Sequence, residues 1–283
     1  MHGLPTARAI LAALTGALIT VGADSPLSGQ ARDSTHTDST AKRQARRILD
    51  EAHVVRWYEA AAVIGGVVLA SALDEPVERT VQRHRSRIAG DVATIFRQQG
   101  EPWYYASISL GVFGAGLVAN SPDLRRAGRR LVLSVAAAGL TTGIFKRVVG
   151  RSRPNEAVGA FQFHPFTSLK DSAGVQTRGA FPSGHTTAAF AVATSLAEDI
   201  NNPWASVALY TIAAGAAWSR IYDNRHWLSD TMFGAALGVT AAKVVNGRWR
   251  VFGWRPPAII VRPTGEVALG WTIPLPPVGA EAR

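Results

Sequence analysis

The sequence predicts an all-α protein: a helical bundle of about six core helices, with a small C-terminal β-hairpin-like extension. Three observations carry this. Six apolar runs of helical length recur between charged or Pro/Gly-containing breaks. Apolar residues make up 47% of the 283 residues and charged residues only 18%. Short β-branched runs around a turn appear only after Asn246. A formal net charge of +10 suits nucleic acid, an anionic membrane surface or a phosphorylated substrate. Nucleic acid is set aside, because the arginines sit mostly in loops between apolar runs rather than interleaved with aromatics on one face. The chain has no cysteine, which removes disulfides and thiolate metal sites.

In chain order, residues 1–23 read as an export signal. Arg8 precedes an apolar stretch at 9–21, and Val21-Gly22-Ala23 offers small residues for cleavage. Export to the periplasmic face of the cell envelope is the expected location. Residues 24–50 are rich in Ser, Thr, Asp, Arg and Gln without a hydrophobic period, a polar linker. The helical domain is expected over 51–248. Its apolar runs lie at 54–73, 103–119, 131–145, 186–197, 204–218 and 231–245. They are Ala- and Gly-rich and nearly apolar all round, as in buried bundle helices or membrane helices packed through small residues. Between the first two, Val77, Val81, Ile88, Val92, Ile95 and Phe96 form one stripe opposite Arg79, Arg83, Arg87 and Arg97. This amphipathic stretch suits either bundle closure or an anionic membrane surface. A basic cluster, Arg125 to Arg130, reads as a loop that the positive-inside rule makes cytoplasmic, placing Lys146 and Arg153 on the external face. A cleaved signal reverses that assignment, so membrane-embedded and soluble exported bundles both stay open. At 249–283, Ala258 to Val261 and Val267 to Trp271 flank Pro263-Thr264-Gly265-Glu266 as a hairpin.

Three stretches carry chemistry. Pro182-Ser183-Gly184-His185, just ahead of an apolar run, reads as a loop opening a helix. The free N–H groups and positive dipole of a helix start favour phosphate, with Gly184 allowing close approach and Ser183 adding a donor. Downstream, Asp230 follows His226 by four residues, which on a helix sets both on one face. A carboxylate there can hold one ring N–H and leave the other nitrogen free to attack. Arg220 ends the preceding run and offers a planar fork for two phosphoryl oxygens. Upstream, Lys146 ends a run and Pro154 biases Arg153 to extended backbone. These cations and the helix start could converge on one anion, which phosphoryl transfer requires. His164 reads as structural, and Arg147, Arg151, Lys170, Asp171 and Arg178 as solvated loop charges. No Gly-rich nucleotide fingerprint, internal repeat or paired-carboxylate site stands out.

The order Lys-x6-Arg-Pro (Lys146, Arg153, Pro154), Pro-Ser-Gly-His (Pro182 to His185) and Ser-Arg-x5-His-x3-Asp (Ser219, Arg220, His226, Asp230) resembles the signature of the type-2 phosphatidic acid phosphatase superfamily. That superfamily also includes bacterial acid phosphatases and vanadium haloperoxidases. The resemblance covers roughly residues 51–248. It implies a helical bundle with a metal-free, cofactor-free site that forms a phosphohistidine. Carried over by position, it makes His226 the nucleophile, Asp230 its orienting partner and His185 the general acid. Lys146, Arg153, Ser183, Gly184 and Arg220 hold the phosphoryl oxygens. The implied activity is hydrolysis of a lipid phosphate, lipid diphosphate or other phosphomonoester. A vanadate-dependent haloperoxidase and a non-enzymatic phosphate-binding envelope protein are the alternatives, and the oligomeric state is unread.

Overall fold

The computed structural model describes residues 52–99, 101–252, 258–261 and 267–270. The expected signal and linker lie outside these residues. The described residues hold eight helices: α1 (Trp57–Ser71), α2 (Asp74–Arg83), α3 (Arg87–Gln99), α4 (Pro102–Val118), α5 (Pro122–Val149), α6 (Gly184–Ile200), α7 (Pro203–Tyr222) and α8 (Leu228–Val245). Each apolar run falls mainly on one of them; the first, 54–73, begins in a short strand and runs past the end of α1.

Two boundaries differ from expectation. The arginine cluster is not a loop but the first turns of α5: Ser121 caps them by accepting from Leu124 N–H at 3.4 Å, and Pro122 sits at the helix start. The amphipathic stretch is two helices rather than one. Ser86 Oγ accepts from Ala89 N–H at 3.1 Å, a local cap that starts α3 and ends the continuity of the stripe.

α6 is the central helix, packed against α8, α7, α5 and α4. Its residues from Thr186 to Leu196 are buried except Phe190, which is half-buried. Close approach needs small residues on the facing helix. A Cβ at Gly238 of α8 would stand 2.3 Å from Thr187 O, and one at Gly234 2.8 Å from Ser183 O. The core between α4, α5, α6 and α7 is likewise built on Ala127, Ala189, Ala193, Ala213 and Ala216 around Leu131. Packing density here comes from backbones brought near to each other rather than from large side chains.

The ends of the bundle differ. One end gathers the C-termini of α1, α5 and α7 with the N-termini of α6 and α8. α2 lies across it, its Gln82 Nε2 donating to Ile221 O and Tyr222 O at 3.4 and 3.3 Å. At the far end, Arg130 pairs with Asp199 at 2.5 Å and Lys243 with Glu198 at 2.6 Å. The parallel strands β1 (His53–Val55) and β2 (Trp249–Val251) also lie there, joining the start of α1 to the end of α8. β3 (Ala258–Val261) and β4 (Val267–Gly270) pair antiparallel in the expected hairpin.

The outer surface is apolar. Ile64, Val68 and Leu69 of α1, Leu110 and Leu117 of α4, Leu140 and Ile144 of α5 and Val207 of α7 are all exposed. Exposed apolar surface on this scale marks a non-aqueous neighbour. Aromatic residues cluster at both ends: Trp57, Tyr58 and Trp204 at the far end, Trp103 and Phe166 at the other, all exposed. Such belts sit at membrane interfaces. α5 and α8 are long and apolar enough to cross a membrane, as is the α1 and α2 pair taken together, bent by 51°. The protein is membrane-associated.

Candidate active site

The site lies where four helix ends meet. α5 stops because Gly150 adopts φ +57° as its C-cap; a Cβ there would stand 1.9 Å from His164 O. This turn leaves Lys146 in the last turn of α5, its Nζ donating to Gly179 O. Arg153 follows in extended backbone, φ −83° and ψ 154°, as the residue before a proline should be. Its N–H donates to Thr177 O at 3.1 Å. Its Nη2 donates to Gln176 Oε1 at 2.9 Å.

Ser183 is the N-cap of α6 but caps nothing with its side chain. Its Oγ instead accepts from Thr186 Oγ1 at 2.9 Å. The first-turn N–H groups of α6 are thereby left without a side-chain cap, beside Lys146. A Cβ on Gly184 would stand 3.8 Å from Lys146 Cε, which measures how near that lysine lies to the helix start.

Arg220 ends α7, and the loop behind it turns tightly. Arg225 and His226 N–H both donate to Arg220 O, at 3.0 and 3.3 Å. This return brings the His226 imidazole back over the end of α7. Its Nδ1 lies 2.7 Å from Ala180 O. A carbonyl can only accept, so Nδ1 carries the proton and Nε2 keeps its lone pair.

The structure thus brings His226, His185, Lys146, Arg153, Ser183, Gly184 and Arg220 to one end of the bundle. His226 is held well below its ordinary value, first by burial and then by Lys146, Arg153, Arg220 and His185. His185 is lowered to about 4, by burial and then Arg220, with Lys146 adding to the effect. Burial, then Arg225 and Arg220, lowers Arg153 to about 10. Cations packed this closely repel one another, and an anion relieves all of them at once. Arg153 Nε, Arg220 Nε and Thr142 Oγ1 are buried without a hydrogen-bond partner, polar atoms that a ligand's oxygens would satisfy.

Asp230 departs from its expected contact. Its Oδ2 is 3.7 Å from His226 Nδ1, too far for a hydrogen bond. Ala180 O has taken that ring N–H, and Asp230 is committed elsewhere. Oδ2 accepts from Trp227 N–H at 2.8 Å, capping α8, and Oδ1 accepts from Arg151 Nη1 at 2.7 Å. Its backbone O accepts from Ser183 N–H at 3.1 Å, tying the starts of α6 and α8 together.

Arg151 is the main correction. Rather than a solvated loop charge it is 2% exposed. Its Nη2 donates to Asp74 Oδ2 at 2.7 Å, its Nη1 to Ser229 Oγ at 2.8 Å and its Nε to Ala160 O at 2.8 Å. Asp74, at the start of α2, also accepts from Ser229 N–H at 2.8 Å. Asp74, Arg151 and Asp230 therefore form a buried chain of charges behind His226. Neither Asp74 nor Arg151 stands in a recognisable spacing with its partners, which lie 77 to 155 residues away.

The PAP2 superfamily model matches residues 127–254, the segment that holds all three sequence motifs. A lipid A 1-phosphatase of Porphyromonas gingivalis is 48% identical over 71 residues, 24% of this chain, and the chain spans only 16% of that protein. A lipid A 1-phosphatase of Rhizobium johnstonii is 28% identical over 198 residues, 65% of this chain and 77% of that one. The crystal structure of a transmembrane PAP2 type phosphatidylglycerolphosphate phosphatase from Bacillus subtilis superposes with a TM-score of 0.52 at 18% identity, over 67% of this chain and 95% of that one. That likeness is one of fold. The chain is thus similar, over the segment that carries its motifs, to the PAP2 superfamily and to relatives named lipid A 1-phosphatases.

Proposed function

We propose that the protein removes a phosphate group from a membrane lipid through a phosphohistidine on His226, with no metal ion. One observation carries this reading: the free Nε2 of His226 is fixed by Ala180 O inside a ring of Lys146, Arg153, Arg220 and His185. A neutral imidazole held in that orientation is a nucleophile, and the surrounding cations neutralise charge as it moves through the phosphoryl oxygens. Lys146, Arg153, Arg220, Ser183 and the start of α6 hold those oxygens. His226 Nε2 bonds to phosphorus as the leaving oxygen departs and takes a proton from His185, whose imidazolium the bound phosphoryl anion stabilises against burial, Arg220 and Lys146. Water then attacks, giving its proton to His185, and the P–N bond breaks. Asp230 acts by position rather than by direct contact: it caps α8 and anchors the loop that presents His226.

The lipid class follows from the surroundings. Trp103 and Phe166 are exposed at the site end of the bundle, the edge of the apolar surface where a headgroup phosphate would lie. The basic first turns of α5 lie at the other end. By the positive-inside rule that end is cytoplasmic, and the site faces the periplasm. β1 sits at the cytoplasmic end as well, so the first apolar run crosses outward and agrees with the arginine cluster. The relatives named lipid A 1-phosphatases make a glycolipid carrying a sugar phosphate the first substrate to try.

The test is phosphate release by the purified protein in lipid micelles, from a sugar-phosphate lipid and a matched soluble phosphomonoester. The lipid is expected to be preferred, a chelator to leave the rate unchanged, and a ³²P label to appear on the protein that survives base and is lost in acid. His226→Ala should abolish turnover and label together. Full activity in that variant would overturn the assignment.

A further inference from the structure

The imidazole that must donate a proton faces a carboxylate that no motif contains. Glu101 is the N-cap of α4, and its side chain makes no cap bond. Its backbone carbonyl starts the helix instead, accepting from Tyr104 and Tyr105 N–H at 3.0 and 3.4 Å. The freed carboxylate reaches across to α6, where Oε1 lies 3.4 Å from Nε2 of His185. That nitrogen is buried and makes no hydrogen bond of ordinary geometry. Facing His185 from the other elements are Arg220 of α7, Lys146 of α5 and, from the loop before α8, His226; Arg220 and Lys146 drive a proton off the ring. Glu101 opposes them from α4.

We propose that Glu101 is a positioning residue for His185, favouring the protonated imidazole that, once a phosphate group occupies the site, protonates the leaving oxygen. It thereby fits the site to substrates whose leaving group is an alcohol, such as a sugar or lipid hydroxyl, too basic to depart unaided. This rests on the phosphohistidine reading. In the first half-reaction the N–P bond to His226 forms, the P–O bond to the alcohol breaks, and the His185 proton passes to that oxygen. In the second, water loses a proton to His185 as its oxygen bonds to phosphorus and the P–N bond breaks, which restores the imidazolium beside Glu101. Glu101 favours the charged form against Arg220 and Lys146, and the phosphoryl anion in the site adds to that support through the cycle. An aryl phosphate with an acidic phenol needs no such proton, and that difference separates assistance to the acid from mere support of the fold.

The experiment compares kcat/KM for Glu101→Gln and the parent protein on an alkyl phosphate and on 4-nitrophenyl phosphate. Loss of about one pKa unit of support should cost about tenfold more on the alkyl ester than on the aryl one. The alkaline limb of the alkyl pH profile should move to lower pH, and Glu101→Asp should restore much of the difference. Equal losses on both esters, or an unmoved alkaline limb, would overturn the proposal. His185→Ala separates this from failure of the parent reading. If that variant still discriminates alkyl from aryl esters while Glu101→Gln does not, only the role of Glu101 falls; if neither discriminates, the acid assignment itself falls.

Discussion

Arg151 donates to two carboxylates buried with it, Asp74 and Asp230, each at 2.7 Å. Arg151→Met would leave both charges unpaired in the interior, at about 3–5 kcal/mol, and thermal unfolding in detergent should read that loss as a lower midpoint. Arg151→Lys keeps the charge but cannot span both acids with one fork, so a partial loss in stability with a larger loss in kcat is expected. The histidines give a second prediction. His226 is held well below the ordinary 6.5, and His185 at about 4. Below about 6.5 the unfolded chain therefore binds more protons than the folded one, and stability falls as pH drops through that range toward 4. The unfolding midpoint should decline from pH 6.5 to 4, less steeply in His185→Asn, and phosphate should offset the decline. These residues differ in how far sequence discloses them. Lys146, Arg153, His185, Arg220 and His226 keep fixed spacings within their own loops and helix ends, so chain order reveals them. Asp74 and Arg151 meet partners 77 to 155 residues away, and contacts across that distance leave no periodic trace.

The helices were legible from their apolar runs, while their ends were obscured by charge. The first turns of α5 carry arginines that read as a loop, yet Ser121-Pro122-Asp123 is a complete start signal. The break between α2 and α3 was equally written in Ser86, whose capping role was hidden by a hydrophobic stripe that continues across it. The contact between α6 and α8 is the most demanding in the bundle. Gly238→Ala would put a methyl 2.3 Å from Thr187 O. α8 must then move away from α6, at about 1–3 kcal/mol, and its first turn carries Asp230. The expected result is a lower unfolding midpoint with reduced kcat and an unaltered preference between alkyl and aryl esters, since the two histidines keep their chemistry. A Gly139→Ala control, where nothing stands within 4 Å, should leave both unchanged.

At the scale of the whole molecule, the bundle has a site end and a basic end, and the chain contains no cysteine to complicate labelling. Thr167→Cys lies at the site end and Asn120→Cys just ahead of α5. In intact cells a membrane-impermeant maleimide should modify the first, and the second only after permeabilisation; the opposite pattern would reverse the orientation. The 51° bend between α1 and α2 has a mechanical consequence. α1 presents Ile64, Val68 and Leu69 outward, and in a bilayer whose hydrophobic thickness does not match it, a helix tilts. Asp74 sits just past that pivot and is clamped to Arg151 and Ser229, so leverage exerted by the lipid on α1 is delivered to the segment bearing His226. Turnover should therefore peak at one acyl-chain length of the host lipid and fall in thinner or thicker bilayers, while Asp74→Asn should flatten that optimum.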